Sequence, residues 1–118
     1  MHGADGWIDQ LLNLPRDYKA GSKSIRQLIT EIDPPHLDSA DLARQVAERL
    51  RRSPELIDAW QVYSYDRRTR PTPYLDGLEV GFFDGESRDV AEHDNTVDAC
   101  ADFVVRETQW LLSLRDTP

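Results

Sequence analysis

Between Arg70 and Tyr74 the apolar pattern of this chain changes its period, and that change confines the fold to one mixing helices with a sheet. Before Pro71 and Pro73, apolar residues recur at helical spacing; after them, Leu78-Glu79-Val80-Gly81-Phe82-Phe83 alternates along the chain. Side chains at helical spacing share one face of a helix, and alternating ones share one face of a strand. At 118 residues the chain has the usual length of one domain with one core. No repeat, low-complexity tract or linker divides it, so residues 1–118 read as a single α+β domain.

The helical part resolves into about four segments. Trp7, Ile8, Leu11, Leu12 and Leu14 share one face, and Pro15 is expected to stop that helix, since proline disfavours helical backbone in the residue before it. A second helix opens at Ser22 or Ser24, turns Ile25, Leu28, Ile29 and Ile32 inward, and is closed by Pro34-Pro35. A third runs from Asp38 or Ser39 to Arg52 or Ser53, with Leu42, Val46 and Leu50 on one stripe. Ser53-Pro54-Glu55 is a helix start: a serine able to cap, a proline suited to the first turn, and a glutamate at the positive end of the dipole. Leu56, Ile57, Trp60 and Tyr63 carry that fourth helix to about Arg67. A strand over Trp60 to Asp66 stays open as the rival, because Val62, Tyr63 and Tyr65 favour sheets.

Asp76-Gly77 between the runs Tyr74-Leu75 and Leu78 to Phe83 signals a tight hairpin. Asp84-Gly85 leads to a third strand over Ser87 to Glu92, with Val90 expected inward. The outcome is a small antiparallel meander. From Asn95 or Thr96 to about Leu114, a stripe of Val97, Cys100, Ala101, Val104, Thr108 and Leu111 makes the longest helix, expected to cover the sheet. The fold class is therefore α+β: about four N-terminal helices, an antiparallel β-meander and a long C-terminal helix.

Several chemistries lack their residues. The histidines His2, His36 and His93 form no pattern that sets two imidazoles on one helical face, so no metal is expected. Glu92-His93-Asp94 reads as a solvated turn, and residues 84–89 lack the ligand spacing of a calcium loop. Cys100, the single cysteine, sits on the apolar stripe and reads as buried and inert. No phosphate-binding, dinucleotide or nucleophile-elbow motif occurs, and no cofactor or catalytic residue is expected. Apolar runs reach only about three residues, against roughly 20 for a bilayer span, so no membrane segment is expected. The N-terminus has neither a basic nor an apolar leader region, and a cytoplasmic location is the expectation.

Charge is distributed unevenly. From Asp76 to Asp102 nine carboxylates face one cation, Arg88, a net charge of -8 that equals that of the whole chain. Arg44 to Arg70 instead holds seven arginines and four carboxylates. An acidic surface repels nucleic acid and attracts cationic partners. Asp84, Glu86, Asp89, Glu92, Asp94 and Asp98 are accordingly the candidate partner-binding residues, with a basic protein as the partner and no nucleic acid or membrane. A solvating face with no partner is the plain alternative. A second cluster, Trp60, Tyr65, Arg68, Arg70 and Tyr74, has the residue types of a ligand pocket or interface. Within it, Trp60, like Tyr63, is also placed by its helical stripe in the core.

The segment Pro54-Glu55-Leu56-Ile57-Asp58-Ala59-Trp60, continued by Tyr63-Ser64-Tyr65-Asp66-Arg67-Arg68-Thr69 and Pro73-Tyr74, resembles a pattern of small bacterial proteins with no assigned activity. Val80-Gly81-Phe82 and Ala99-Cys100-Ala101-Asp102-Phe103 extend the likeness to about half of the chain. In size and charge the chain also resembles the immunity proteins that neutralise toxin domains. The first resemblance implies no activity and assigns no residue a role; with the acidic face, the leading expectation is a non-enzymatic cytoplasmic binding protein, immunity-like, that docks on a basic protein. A small enzyme or ligand-binding domain using the Trp60 to Tyr74 cluster is the alternative, and a homodimer through the last helix is a third reading.

Overall fold

The computed structural model describes residues 6–21, 24–32, 38–66 and 71–115. In chain order its elements are α1 (Gly6–Leu12), α2 (Leu14–Ala20), α3 (Ile25–Ile32), α4 (Ser39–Arg52), α5 (Glu55–Asp66), β1 (Thr72–Asp76), β2 (Glu79–Phe83), β3 (Ser87–Glu92) and α6 (Thr96–Arg115). The α+β class holds, with one helix more than the sequence suggested before the sheet.

That extra helix is α2, and Pro15 opens it rather than ending its predecessor. Proline at the first turn loses no hydrogen bond, because the amide it lacks has no intrahelical acceptor there. Asn13 N–H still reaches the Asp9 carbonyl at 3.0 Å and Asp17 N–H the Asn13 carbonyl at 3.0 Å, so helical bonding runs nearly unbroken across the junction. Ser24 and Gln27 form a capping box at the head of α3, each side chain accepting the other's backbone N–H. The expected stop at Pro34-Pro35 lies outside the described residues; α3 itself ends at Ile32. Asp38 caps α4 through a 2.8 Å bond from Asp41 N–H. At the α5 entry Ser53 caps differently from expectation: its hydroxyl takes Arg49 Nη1 at 3.1 Å, and its carbonyl accepts Leu56 N–H. The segment from Trp60 to Asp66 is helical, which removes the strand reading.

The three strands pair antiparallel in the order β1-β2-β3. Asp76 pairs with Glu79, so Asp76 belongs to the strand and the turn is Gly77-Leu78. Gly77 has a φ of +64°, the left-handed value that glycine takes without a Cβ penalty. Between β2 and β3 the ladder slips: Val80 faces Ala91 and Phe82 faces Arg88, so Asp89 and Val90 together oppose Gly81. This bulge, with Asp89 at a φ of +52°, inverts the in-out parity of β3. Val90 is therefore 47% exposed rather than inward, and the partly buried residue is Ala91.

Helix α6 is the centre of the molecule. It packs on α3, α4 and α5 as well as on β1 and β2, so it does more than cover the sheet. Ala99, Cys100, Ala101, Phe103, Val104, Val105, Glu107, Thr108 and Leu111 are all buried, a width of burial no single stripe provides. Trp60 stands edge-on to Phe103 (6.0 Å) and Tyr63 (5.3 Å), and its indole N–H donates to the Leu12 carbonyl at 3.2 Å, joining α1, α5 and α6. No described helix is long and apolar enough to cross a membrane.

Candidate functional site

A three-stranded sheet has two edges, and here they are treated differently. Along β1, Ser64 Oγ accepts Leu75 N–H at 2.8 Å, Gln61 Nε2 donates to the Leu75 carbonyl at 2.6 Å, and Gln61 Oε1 accepts Gly77 N–H at 2.8 Å. Helix α5 thus supplies from side chains what a fourth strand would have supplied. Strand β3 receives one such bond, from Arg106 of α6 to the Asp89 carbonyl at 2.7 Å, and it carries the acid.

Asp84, Glu86, Asp89, Glu92 and Asp94 are exposed along β3 and the turns on either side of it. Among the described residues none of these five carboxylates is within bonding distance of a cation; the nearest link is from Arg106 Nη1 to the Asp89 main-chain carbonyl at 2.7 Å. Asp98, the sixth candidate, differs. Its side chain is half-buried, accepts Asn95 Nδ2 at 3.0 Å and lies 3.9 Å from Arg51, so it serves the head of α6. The remaining acids of the segment are also used internally: Asp76 by Tyr65, Glu79 by Tyr74, and Asp102 by His93 and Arg106.

Next to the acidic edge a hollow of about 390 Å³ is lined by Pro73, Phe82, Asp89, Arg106, Gln109 and Trp110. Phe82 and Trp110 meet edge to face at 5.2 Å and are only partly buried. Their rings give the acidic face an aromatic socket of the kind that anchors interfaces.

His93 is placed differently from the solvated turn expected of it. Its Nε2 lies 2.9 Å from Asp102 Oδ2, while Arg106 Nε holds Asp102 Oδ1 at 2.9 Å, and His93 N–H donates to the Leu78 carbonyl at 2.9 Å. Asp102 is thus the knot tying the end of β3, and through Arg106 its bulge, to α6. Nothing in the sequence marks this pairing, since the two residues lie on different elements. The buried Glu107, which accepts the Tyr63 hydroxyl, carries a signal that was available: it falls on the apolar stripe, three residues after Val104 and four before Leu111.

Three members of the second cluster lie among the described residues. Trp60 is fully buried core, Tyr65 is 61% exposed, and Tyr74 is half-buried with its ring over Gly81. Hydrogen bonding to Asp76 raises the Tyr65 phenol above its ordinary pKa, and burial followed by the bond to Glu79 raises that of Tyr74. Both hydroxyls stay protonated donors at neutral pH. Arg68 and Arg70 lie outside the described residues. Cys100 is buried as expected, and burial pushes its thiol up to about 12, which removes it as a nucleophile. Among the described residues no three His, Cys, Asp or Glu side chains converge to hold a metal. Comparison with family models, curated proteins and solved structures gives no match.

Proposed function

We propose that the chain is an acidic, immunity-like binding protein that docks a basic protein on the β3 edge. The observation that carries this reading is the set of five exposed carboxylates, Asp84, Glu86, Asp89, Glu92 and Asp94, on the sheet edge opposite the one that α5 covers. The other acids of the same segment are consumed by internal partners, so the exposed ones are a selected subset of the segment's charge. The Phe82–Trp110 hollow beside them supports a specific contact, since aromatic anchors supply affinity where exposed charge supplies mainly steering and register. The bulge and the charged side chains disfavour addition of a partner strand, so the contact runs through side chains.

The test compares affinity capture at low salt by the native chain and by the variant Asp84→Lys, Glu86→Lys, Asp89→Asn. Asparagine is used at 89 because it tolerates the left-handed backbone there and removes only the charge. A cationic protein retained by the native chain, released by salt and missed by the variant is the expected result. Equal capture of that protein by a folded variant overturns the proposal.

A further inference from the structure

On the opposite side of α5 from the sheet, α2 and α5 enclose a cleft of about 370 Å³ that belongs to no part of the acidic edge. Its walls are Pro15 and Tyr18 from α2 and Ala59, Val62 and Tyr63 from α5; Arg16 and Lys19 complete its lining. Tyr18 stands edge-on to Tyr63 at 6.2 Å. Two large apolar side chains, Tyr18 at 42% and Val62 at 49%, are left exposed at this one place. The volume falls in the range of small-molecule sites, roughly 300–1,000 Å³, whereas a protein interface needs a far wider face.

The cations decide the ligand's headgroup. Lys19 has no carboxylate partner among the described residues, and Arg16 reaches Asp17 only at 3.8 Å with its side chain 74% exposed. Within a chain of net charge -8, two cations thus stand at the rim of this apolar cleft. We infer that this cleft binds a small apolar monocarboxylate, its hydrocarbon body against Tyr18, Ala59, Val62 and Tyr63 and its carboxylate toward Lys19 and Arg16.

Octanoate and octanol serve as the probes, titrated into the full chain and followed through backbone amide resonances. Octanoate is expected to saturate, with shifts centred on residues 15–19 and 59–63, and to bind more tightly than octanol. Lys19→Glu with Arg16→Glu is expected to weaken octanoate about tenfold, as attraction at an exposed rim turns to repulsion, and to leave octanol unchanged. Val62→Trp, at a half-exposed position that tolerates the larger ring, is expected to fill the cleft and abolish both. Linear, unsaturable shifts, octanol binding as tightly as octanoate, or unchanged octanoate binding in folded Val62→Trp would each overturn the inference.

Discussion

Asp102 shows how much one carboxylate can organise. It accepts from Arg106 one turn further along α6 and pairs with His93 beyond β3, with all three side chains less than a third exposed. Asp102→Ala takes away the partner of His93 Nε2 and the acceptor of Arg106 Nε, so it is expected to cost more stability than His93→Ala, on the order of 1–3 kcal/mol by chemical denaturation. Cys100 makes a prediction of opposite kind. A thiol raised to about 12 by burial stays neutral in the native state while an unfolded one ionises above its ordinary pKa. Its contribution to stability is therefore complete below about pH 9 and is lost as pH climbs toward 12. At pH 8 a disulfide reagent is expected to label it only at the rate of unfolding; fast labelling of the native protein would contradict its burial. Gly81 is constrained by its cross-strand neighbour: a Cβ there would lie 2.7 Å from the Tyr74 hydroxyl, which Glu79 holds. Gly81→Ala is expected to destabilise by about 1–3 kcal/mol, the usual cost of overpacking.

At the level of elements, the contrast between the two sheet edges accounts for most of the arrangement. Helix α5 closes the β1 edge with only two side chains, so Ser64→Ala leaves the buried Leu75 N–H without its acceptor. The expected cost is about 1–3 kcal/mol, with increased aggregation on light scattering because an edge strand is uncovered. A stable, monodisperse variant would show that α5 is not what protects this edge. Helices α4 and α6 were legible in the sequence because their signals are local: Asp38 and Asn95 each accept the N–H three residues on, at 2.8 and 2.9 Å, and the apolar stripes follow at once. Helix α2 was hidden by a proline that reads equally as a stop or a first turn. Val90 was misplaced because a bulge is set by cross-strand pairing, which alternation along one strand does not contain. The acidic edge could be read as charge, but which acids stay exposed depended on where Arg51, Arg106, Tyr65 and Tyr74 landed. The cleft between α2 and α5 had no linear signature, since its walls lie some forty residues apart.

For the whole molecule, the radius of gyration of 13.4 Å is that of one compact body of this length. The length of α6 from Ala99 to Leu111 is largely used in packing, so a homodimer through that helix has little apolar surface to bury, and a solution mass of 13.6 kDa is expected. The charge distribution has a sharper consequence. Five exposed carboxylates crowded at one edge repel one another and lower the stability of the compact state, while the same field would draw in the proposed cationic partner. Salt screens both, with a Debye length of about 10 Å at 0.1 M and about 3 Å at 1 M. Raising the salt from low to high is therefore expected to raise the melting temperature and to slow association with the basic partner by at least about tenfold, with little change in its dissociation rate. The variant with charge reversed at 84 and 86 and removed at 89 is expected to melt no lower than the native chain and to lose most of that salt response. If added salt instead lowers the melting temperature, the carboxylates are contributing attraction within the fold, and the β3 edge is a network of internal ion pairs, not a face held ready for a partner.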